Sequence, residues 1–509
     1  MNKILLTALV ILNLSALSQT GVVRLEFEAA INSDIYQLVP LDRQGFLVFY
    51  ETSGMAGEGA KNWFFSCFGP DFKEKWKTNI PVILNAEYQH YIFHDSLVYL
   101  TFYNPGKVRS GSENFQVTTF DLVNGVSYET KTTLPPDGKP VEFIVAGDKA
   151  IVGMNLKNDQ AGVFSIILKT GYLNEFTFTW PDQNFIEDLA YDLRNDLIVC
   201  LVNNYLSRRQ NKLYFAALST ECAFRHDLEI APVMAGKYLN TGRIVIQDSS
   251  RFLILGTYGN VSTKIPSQAE YFGLESAGVY STRVSGNSQE FMNYYNFAEF
   301  NNLRAGVSAR DFYRLQKKKE RESPEYSMNY ELLVHDALIR DSSVIMFMEA
   351  FYPEFRTVSD ISYDHWGRPV TQSYTVFEGY RFFNALLSAY DADGQLMWDN
   401  SLEINSSPTR NLEKKAGYYF DGRPALIFNN DGARISYRIC LENTELEPFS
   451  KLDLETAEFG DKITAAGKNR MIHWFGYNFL AYGYQTIQNN LLQDKNERTV
   501  FYINKISLE

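Results

Sequence analysis

The segment "LLSAYDADGQLMWDNSLEI" (386–404) admits two readings, and the choice between them decides the fold. Asp391, Asp393 and Gly394 are residue types that open a calcium loop. They are equally the tight polar turn of a β-hairpin, with Trp398 packed on the second strand. A loop of the EF-hand type needs a Glu at its twelfth position, and counted from Asp391 that position is Leu402. Corresponding segments elsewhere, "GPDFKEKW" (69–76), "DLVNGVSY" (121–128) and "STECAFRH" (219–226), keep the turn and lose the acidic pair. The hairpin is therefore the reading taken, and Trp76, Trp180 and Trp398 are expected to pack between neighbouring repeats.

Working outward, the hairpin proves to be half of a recurring unit. Two apolar runs joined by a short polar turn come first, as in "IYQLVPLDRQGFLVFYE" (35–51), "YQHYIFHDSLVYLTFY" (88–103), "VEFIVAGDKAIVGMNL" (141–156) and "GRIVIQDSSRFLILGTY" (242–258). A second hairpin follows, as in "WFFSCFGPDFKEKWKTNI" (63–80) and "VFSIILKTGYLNEFTFTW" (163–180). Each run has strand length and is bounded by Asp, Gly, Asn or Ser. Four strands recurring about every 50 residues mark a β-propeller. Eight first hairpins can be read but only seven complete second ones; "RTVFYINKISLE" (498–509) supplies a single strand. The extended segment "GVVRLEFEAA" (21–30) has no hairpin before it and can fill the vacancy, leaving no open blade edge. The expected fold is all-β: a propeller of eight four-stranded blades closed by an N-terminal strand, with seven blades as the alternative.

Composition agrees. The aromatic residues are mainly Phe (37) and Tyr (32), which favour strands. A net charge of −12 argues against nucleic acid as a partner, because phosphate neutralisation needs a basic surface. At the N-terminus, Lys3, the apolar run "ILLTALVILNL" (4–14) and the small residues Ala16 and Ser18 have the order of a signal peptide. Residues 1–18 are thus expected to be removed on export, leaving 19–509 as one propeller domain. Eleven apolar residues are too few to span a bilayer, and no later run is long enough, so no transmembrane segment is expected. The four cysteines (Cys67, Cys200, Cys222, Cys440) form no CxxC pair, and their disulfide state is open.

With strands lettered A to D from the axis outward, B–C and D–A connections emerge on one face of a propeller. The long connections fall at 52–62, 104–114, 259–277, 297–328, 353–381 and 485–497, all of these two types. One face should therefore carry the loops, and loops on a rigid scaffold are where binding surfaces are built. Within 297–328, "SARDFYRLQKKKERE" (308–322) reads as a helix ending in Lys317, Lys318 and Lys319, a basic landing site for an acidic partner or anionic headgroups. The segment 352–382 reads as a long hairpin with "HWGRP" at its tip, where Gly367 and Pro369 mark the turn. Tyr363, His365, Trp366, Arg368 and Tyr374 are the candidate partner contacts, being the residue types that dominate hot spots.

Catalytic signals are weak. No HExxH or GxSxG motif occurs, and no histidine pair has zinc-ligand spacing, so no metal is expected and catalytic residues are unassigned. For a glycosidase the carboxylates would come from Glu349, Asp360 or Asp364. The three His–Asp neighbours ("FHDS", "VHDA", "YDHW") are not taken as pairs, because strand neighbours point to opposite faces.

The block "HDALIRDSSVIMFMEAFYPEFRT" (335–357), "VFEGYRFF" (376–383) and "SAYDADGQLMWDNS" (388–401), with the terminal "FYINKISLE", resembles exported propeller-like proteins of unassigned function from Bacteroidota. The "DADGQLMW" turn also looks like PQQ-type propeller repeats, but it does not recur regularly enough to imply a quinone, and no cofactor is expected. The resemblance implies the periplasm, or the extracellular space, as the address. A chain ending in its own closing strand leaves no room for a C-terminal sorting domain, which favours the periplasm, with peripheral association at the outer membrane. The function expected is a non-catalytic binding or scaffold protein that engages an envelope protein partner through the loop-rich face. The alternative is a carbohydrate-active propeller, whose mark would be a deep axial pocket with converging carboxylates and aromatic walls.

Overall fold

The computed structural model describes residues 23–508 apart from 30–35, 58, 107–111, 208–209, 249, 262–274, 304–329, 341–342, 364, 405, 423, 447–448, 490 and 492–496. The segment expected to be a leader (1–18) and Lys317, Lys318 and Lys319 lie outside the described residues, as does Asp364. Among the described residues no helix is long and apolar enough to cross a membrane.

The described residues form eight antiparallel sheets. Blades 1 to 7 span 37–83, 87–132, 139–178, 183–230, 237–296, 331–403 and 416–453. Blade 8 takes three strands from 461–507 and its outermost from Arg24–Glu28, which pairs antiparallel with Glu497–Ser507 in the register Leu25↔Ile503 and Phe27↔Phe501. The fold is a β-propeller closed by its N-terminal strand.

Sequence pattern follows position in the blade. The B and C strands lie between two neighbouring blades and read as continuous buried runs, such as Leu97–Tyr103 and Ala161–Ile167. The outermost strands have one wet face and alternate, as in Phe224–Ile230. Every hydrophobic cluster sits between consecutive blades. In the cluster that closes the ring, Leu38, Phe46 and Phe68 of blade 1 pack on Trp474, Leu480 and Phe501 of blade 8. The Trp474 indole also donates to the Gly45 carbonyl at 2.7 Å across this junction.

The three turn-following tryptophans do join blades. Trp76 stacks on Phe120, Trp180 on Tyr214, and Trp398 packs on Phe420 of blade 7. In the turn 390–396, Asp391 spends its carboxylate on the backbone amides of Asp393 and Gln395 (2.9 and 2.8 Å). Gly394 takes φ 71°, and its carbonyl receives the hydroxyls of Ser281 and Tyr295 from blade 5. A Cβ there would stand 2.6 Å from Ser281 Oγ, so glycine is required for the docking. The four cysteines are buried and free, and burial pushes the Cys67 thiol up to about 11.

Candidate functional site

Two regions stand out: an arm on the loop-rich face and the axial channel. The strands that flank the six long connections are B and C of one blade or D and the next A, so the ends of these connections emerge on one face. The largest departs from a simple loop. The B and C strands of blade 6 run on as Ser343–Tyr363 and Pro369–Tyr390, 21 and 22 residues long. The neighbouring A strand pairs only as far as Phe351, and on the other side the D strand pairs only from Asn384 onward, with one isolated bridge between Tyr380 and Thr409. Residues 353–363 and 369–379 therefore stand as a two-stranded ribbon, about 36 Å long at 3.3 Å per residue. A bulge beside Phe355 and the positive φ of Gly379 (144°) bend the ribbon where it leaves the sheet.

Cross-strand partners share a face. One face of the ribbon carries Phe355/Phe377, Thr357/Thr375, Ser359/Ser373, Ile361/Thr371 and Tyr363/Pro369, without a charge. The other carries Arg356/Val376, Val358/Tyr374, Asp360/Gln372 and Ser362/Val370. Tyr363 and Tyr374, paired as candidates from sequence, thus point to opposite sides. His365, Trp366 and Arg368 form the exposed tip, where Gly367 has φ 75° and the Arg368 guanidinium lies 4.8 Å from the Trp366 ring centre. Trp366 is 69% exposed and Tyr363 71%.

Of the carboxylates suggested for a glycosidase, the two that are described, Glu349 and Asp360, do not come together. Glu349 is fully buried and accepts from the His335 ring (2.7 Å) and from the backbone amides of Lys415 and Ala416 (2.9 Å each), stapling blade 6 to blade 7. Asp360 lies eleven positions further along the same strand, out on the ribbon, far beyond the roughly 5–9.5 Å that glycoside hydrolysis needs. The His–Asp neighbours behave in two ways. His335 and Asp336 diverge, one to the staple and one to the axis. His94 and Asp95 meet at 3.4 Å on an exposed turn, because the strand ends there and Asp95 takes φ 56°.

The axis holds what the sequence reading missed. The inner strands break at similar heights. Blades 2, 3 and 4 have bulges at Tyr88/Tyr91, Pro140/Glu142 and Ile186/Asp188, and blade 8 at Gly467/Arg470. In blades 5 and 6 the inner strand is interrupted at 240–242 and 335–337. Bulges re-aim side chains, and here they bring charged groups to one ring. Arg243 bridges three blades, donating to the Glu187 carbonyl of blade 4 and to the Val334 carbonyl of blade 6 (3.2 Å). Its Nε lies 3.8 Å from Asp336 Oδ1, and Lys414 Nζ lies 3.6 Å from Oδ2. Asp336 sits deep, yet its carboxylate is 74% accessible because it looks into the lumen.

Electrostatics separate these carboxyls. Burial pushes Glu142 up to about 8, with Asp188 adding repulsion and Arg243 opposing it. Burial likewise raises Glu187 to about 7 and Asp188 to about 6, each held back by Arg243. Burial also pushes Asp336 up, but Lys414, Arg243 and His335 overcome it and leave the group below the usual carboxylate range. Lys414 also lines a cavity of about 580 Å³, together with Tyr88, Tyr91, Tyr418 and Tyr482 and the charged Glu413, Lys415, Lys468 and Arg470.

No family model matches the chain, and no curated protein matches it. Among solved structures it is similar to a protein of unknown function from Bacteroides caccae (9% identity, TM-score 0.31, 70% of this chain and 93% of that one). It is also similar to the WD40 domain of SCAP from fission yeast (9%, 0.31, 82% and 97%) and to a prolyl endopeptidase (6%, 0.39, 84% and 50%). The chain spans half the length of that endopeptidase.

Proposed function

We propose that this chain is an exported, non-catalytic binding or scaffold protein that engages a protein partner of the cell envelope through its loop-rich face, with the blade 6 ribbon as the main contact. The single supporting observation is the ribbon itself. A two-stranded ribbon without a third strand is marginally stable in water at best, and among the described residues no further strand pairs along 353–363 or 369–379. Its uncharged face and its exposed Ile361, Tyr363, Trp366 and Val370 favour burial against a partner. Strand addition along a free edge, anchored by the aromatic tip, is the recognition mode this shape suits.

The test replaces 355–378 by an Asn-Gly turn, which can close Glu354 onto Gly379. Intact cells expressing either form are crosslinked, and captured proteins are compared by quantitative mass spectrometry. An envelope component captured by the full chain and lost with the ribbon supports the reading. Identical capture by both forms removes it. Fractionation of the same cells tests the periplasmic address and association with an outer-membrane assembly.

A further inference from the structure

The axis is divided by charge. Along blades 3 to 6, Glu142, Glu187, Asp188 and Asp336 share Arg243. The arc of blades 7, 8, 1 and 2 is basic instead. It supplies most of the wall of the 580 Å³ cavity, whose lining holds Lys414, Lys415, Lys468 and Arg470 against one carboxylate, Glu413. His335 and His473 also line it, but burial lowers both, so neither adds charge at neutral pH. The whole chain has a net charge of −12, which makes this a local reversal of sign. A concave wall of one sign focuses its field on whatever enters.

The neighbouring carboxylates answer these cations loosely. Lys414 Nζ lies 3.6 Å from Asp336 Oδ2 and Lys415 Nζ 3.5 Å from Glu413 Oε2. Both contacts are longer than the roughly 2.7–2.9 Å of a close charge-assisted hydrogen bond. Arg470 reaches the same Glu413 oxygen at 3.1 Å, so one oxygen serves two cations. Lys414 and Arg470 keep 55% and 44% of their side chains exposed. Burial pulls the Lys415 ammonium below its ordinary value; Glu413 opposes this and Arg470 adds repulsion. An anion in the cavity would relieve that crowding. Lys468 joins the lining from the blade 8 bulge, where it takes φ 52°.

The remaining wall suits a flat body. Tyr88, Tyr91, Tyr418 and Tyr482 offer apolar ring faces with polar edges, and Tyr91 is 40% exposed. Burial raises all four hydroxyls, so they stay neutral and can donate to an anion. At about 580 Å³ the cavity falls within the roughly 300–1,000 Å³ of small-molecule sites. We infer that it binds a small organic anion carrying carboxylate or phosphate groups on a ring. The charged groups lie among Lys414, Lys468 and Arg470, and the ring lies against Tyr91 and Tyr418. This binding capacity is separate from the partner-binding ribbon.

Isothermal titration of the full chain tests it with two matched pairs, trigalacturonate against maltotriose and adenosine monophosphate against adenosine. Inorganic phosphate and citrate serve as anions without a ring. At least one ring-bearing anion is expected to bind with a Kd of about 1 mM or tighter, and about tenfold or more tighter than its neutral counterpart. Whichever pair responds distinguishes a carboxylate ligand from a phosphate one. Arg470→Gln and Lys468→Asn should each weaken binding about tenfold, and asparagine tolerates the positive φ of position 468. Glu413→Gln removes the internal competitor and should tighten binding about threefold, a gain that damage to the fold does not produce. The ribbon-deleted form should bind unchanged, so the two sites stand or fall separately. Thermal unfolding of each variant confirms that it is folded. The inference is overturned if neither ring-bearing anion binds, or if the neutral counterparts, phosphate or citrate bind as tightly. Binding unchanged in both Arg470→Gln and Lys468→Asn overturns it too.

Discussion

The blade 6 ribbon and the axial ring are both departures from a regular propeller, and they depart in opposite directions. The ribbon adds 27 residues (353–379), most of them solvent-exposed, Ile361, Tyr363 and Val370 among them. The ring adds almost no residues. It breaks the inner strands and draws charged groups inward, where each must be answered by another. Surface excess leaves stability untouched and makes a surface for others. Interior irregularity costs stability and must be held by a network. The difference teaches where a mutation will be felt.

The largest expected effect tests the network. Glu349→Ala leaves the His335 ring and two backbone amides without their acceptor in a fully buried place. Chemical denaturation should show a loss of about 3–5 kcal/mol. Arg243→Met removes the cation shared by Asp188, Glu142, Asp336 and Glu187, and should cost about 2–4 kcal/mol in the same measurement. If either variant is as stable as the parent, the ring is no network and the comparison fails.

A pH series sharpens the same point. Glu142 keeps its proton up to about 8 when folded, against 4.5 for the ordinary side chain. The folded state therefore binds more protons across that window, and this group's contribution to stability declines as pH rises from 4.5 to 8, then levels off. The slope is at most about 1.4 kcal/mol per pH unit, and less where solvent in the lumen reaches the carboxyl. Glu142→Gln should flatten it. Asp336, held low by its cations, acts in the opposite sense: its contribution is lost only as pH falls through its folded value. The smallest effects belong to the ribbon. Removing 355–378 should change stability by less than about 1 kcal/mol, and Trp366→Ala by less than about 0.5 kcal/mol. A large loss from either would mean that the ribbon belongs to the core.

The fold was legible because each blade repeats the same constraint. A strand clamped between two blades must be apolar on both faces, and a turn must carry Asp, Gly or Asn, so the phrase returns eight times. The missing strand was legible too, since Arg24–Glu28 lies in an extended segment (21–30) with no hairpin before it. The candidate site was legible only in part. "HWGRP" marked a tip, but the sides to which Tyr363 and Tyr374 point depend on register, which one bulge can shift. Glu349 looked like a free carboxylate because its three partners lie 14, 66 and 67 residues away.

By itself, then, the chain's local pattern determined strand, turn and propeller closure and narrowed the blades to eight or seven, since period-two alternation and turn chemistry act over a few residues. The sheets themselves number eight among the described residues. The axial ring was decided only in three dimensions. Its members, "QHY" in blade 2, "VEF" in blade 3, "IEDL" in blade 4, "TGRI" in blade 5 and "VHDA" in blade 6, each read as one polar lapse in an apolar strand. Their meaning comes from radial symmetry, which brings to one axis five lapses that lie 45 to 93 residues apart in sequence. There, low dielectric couples charges that no stretch of sequence places side by side.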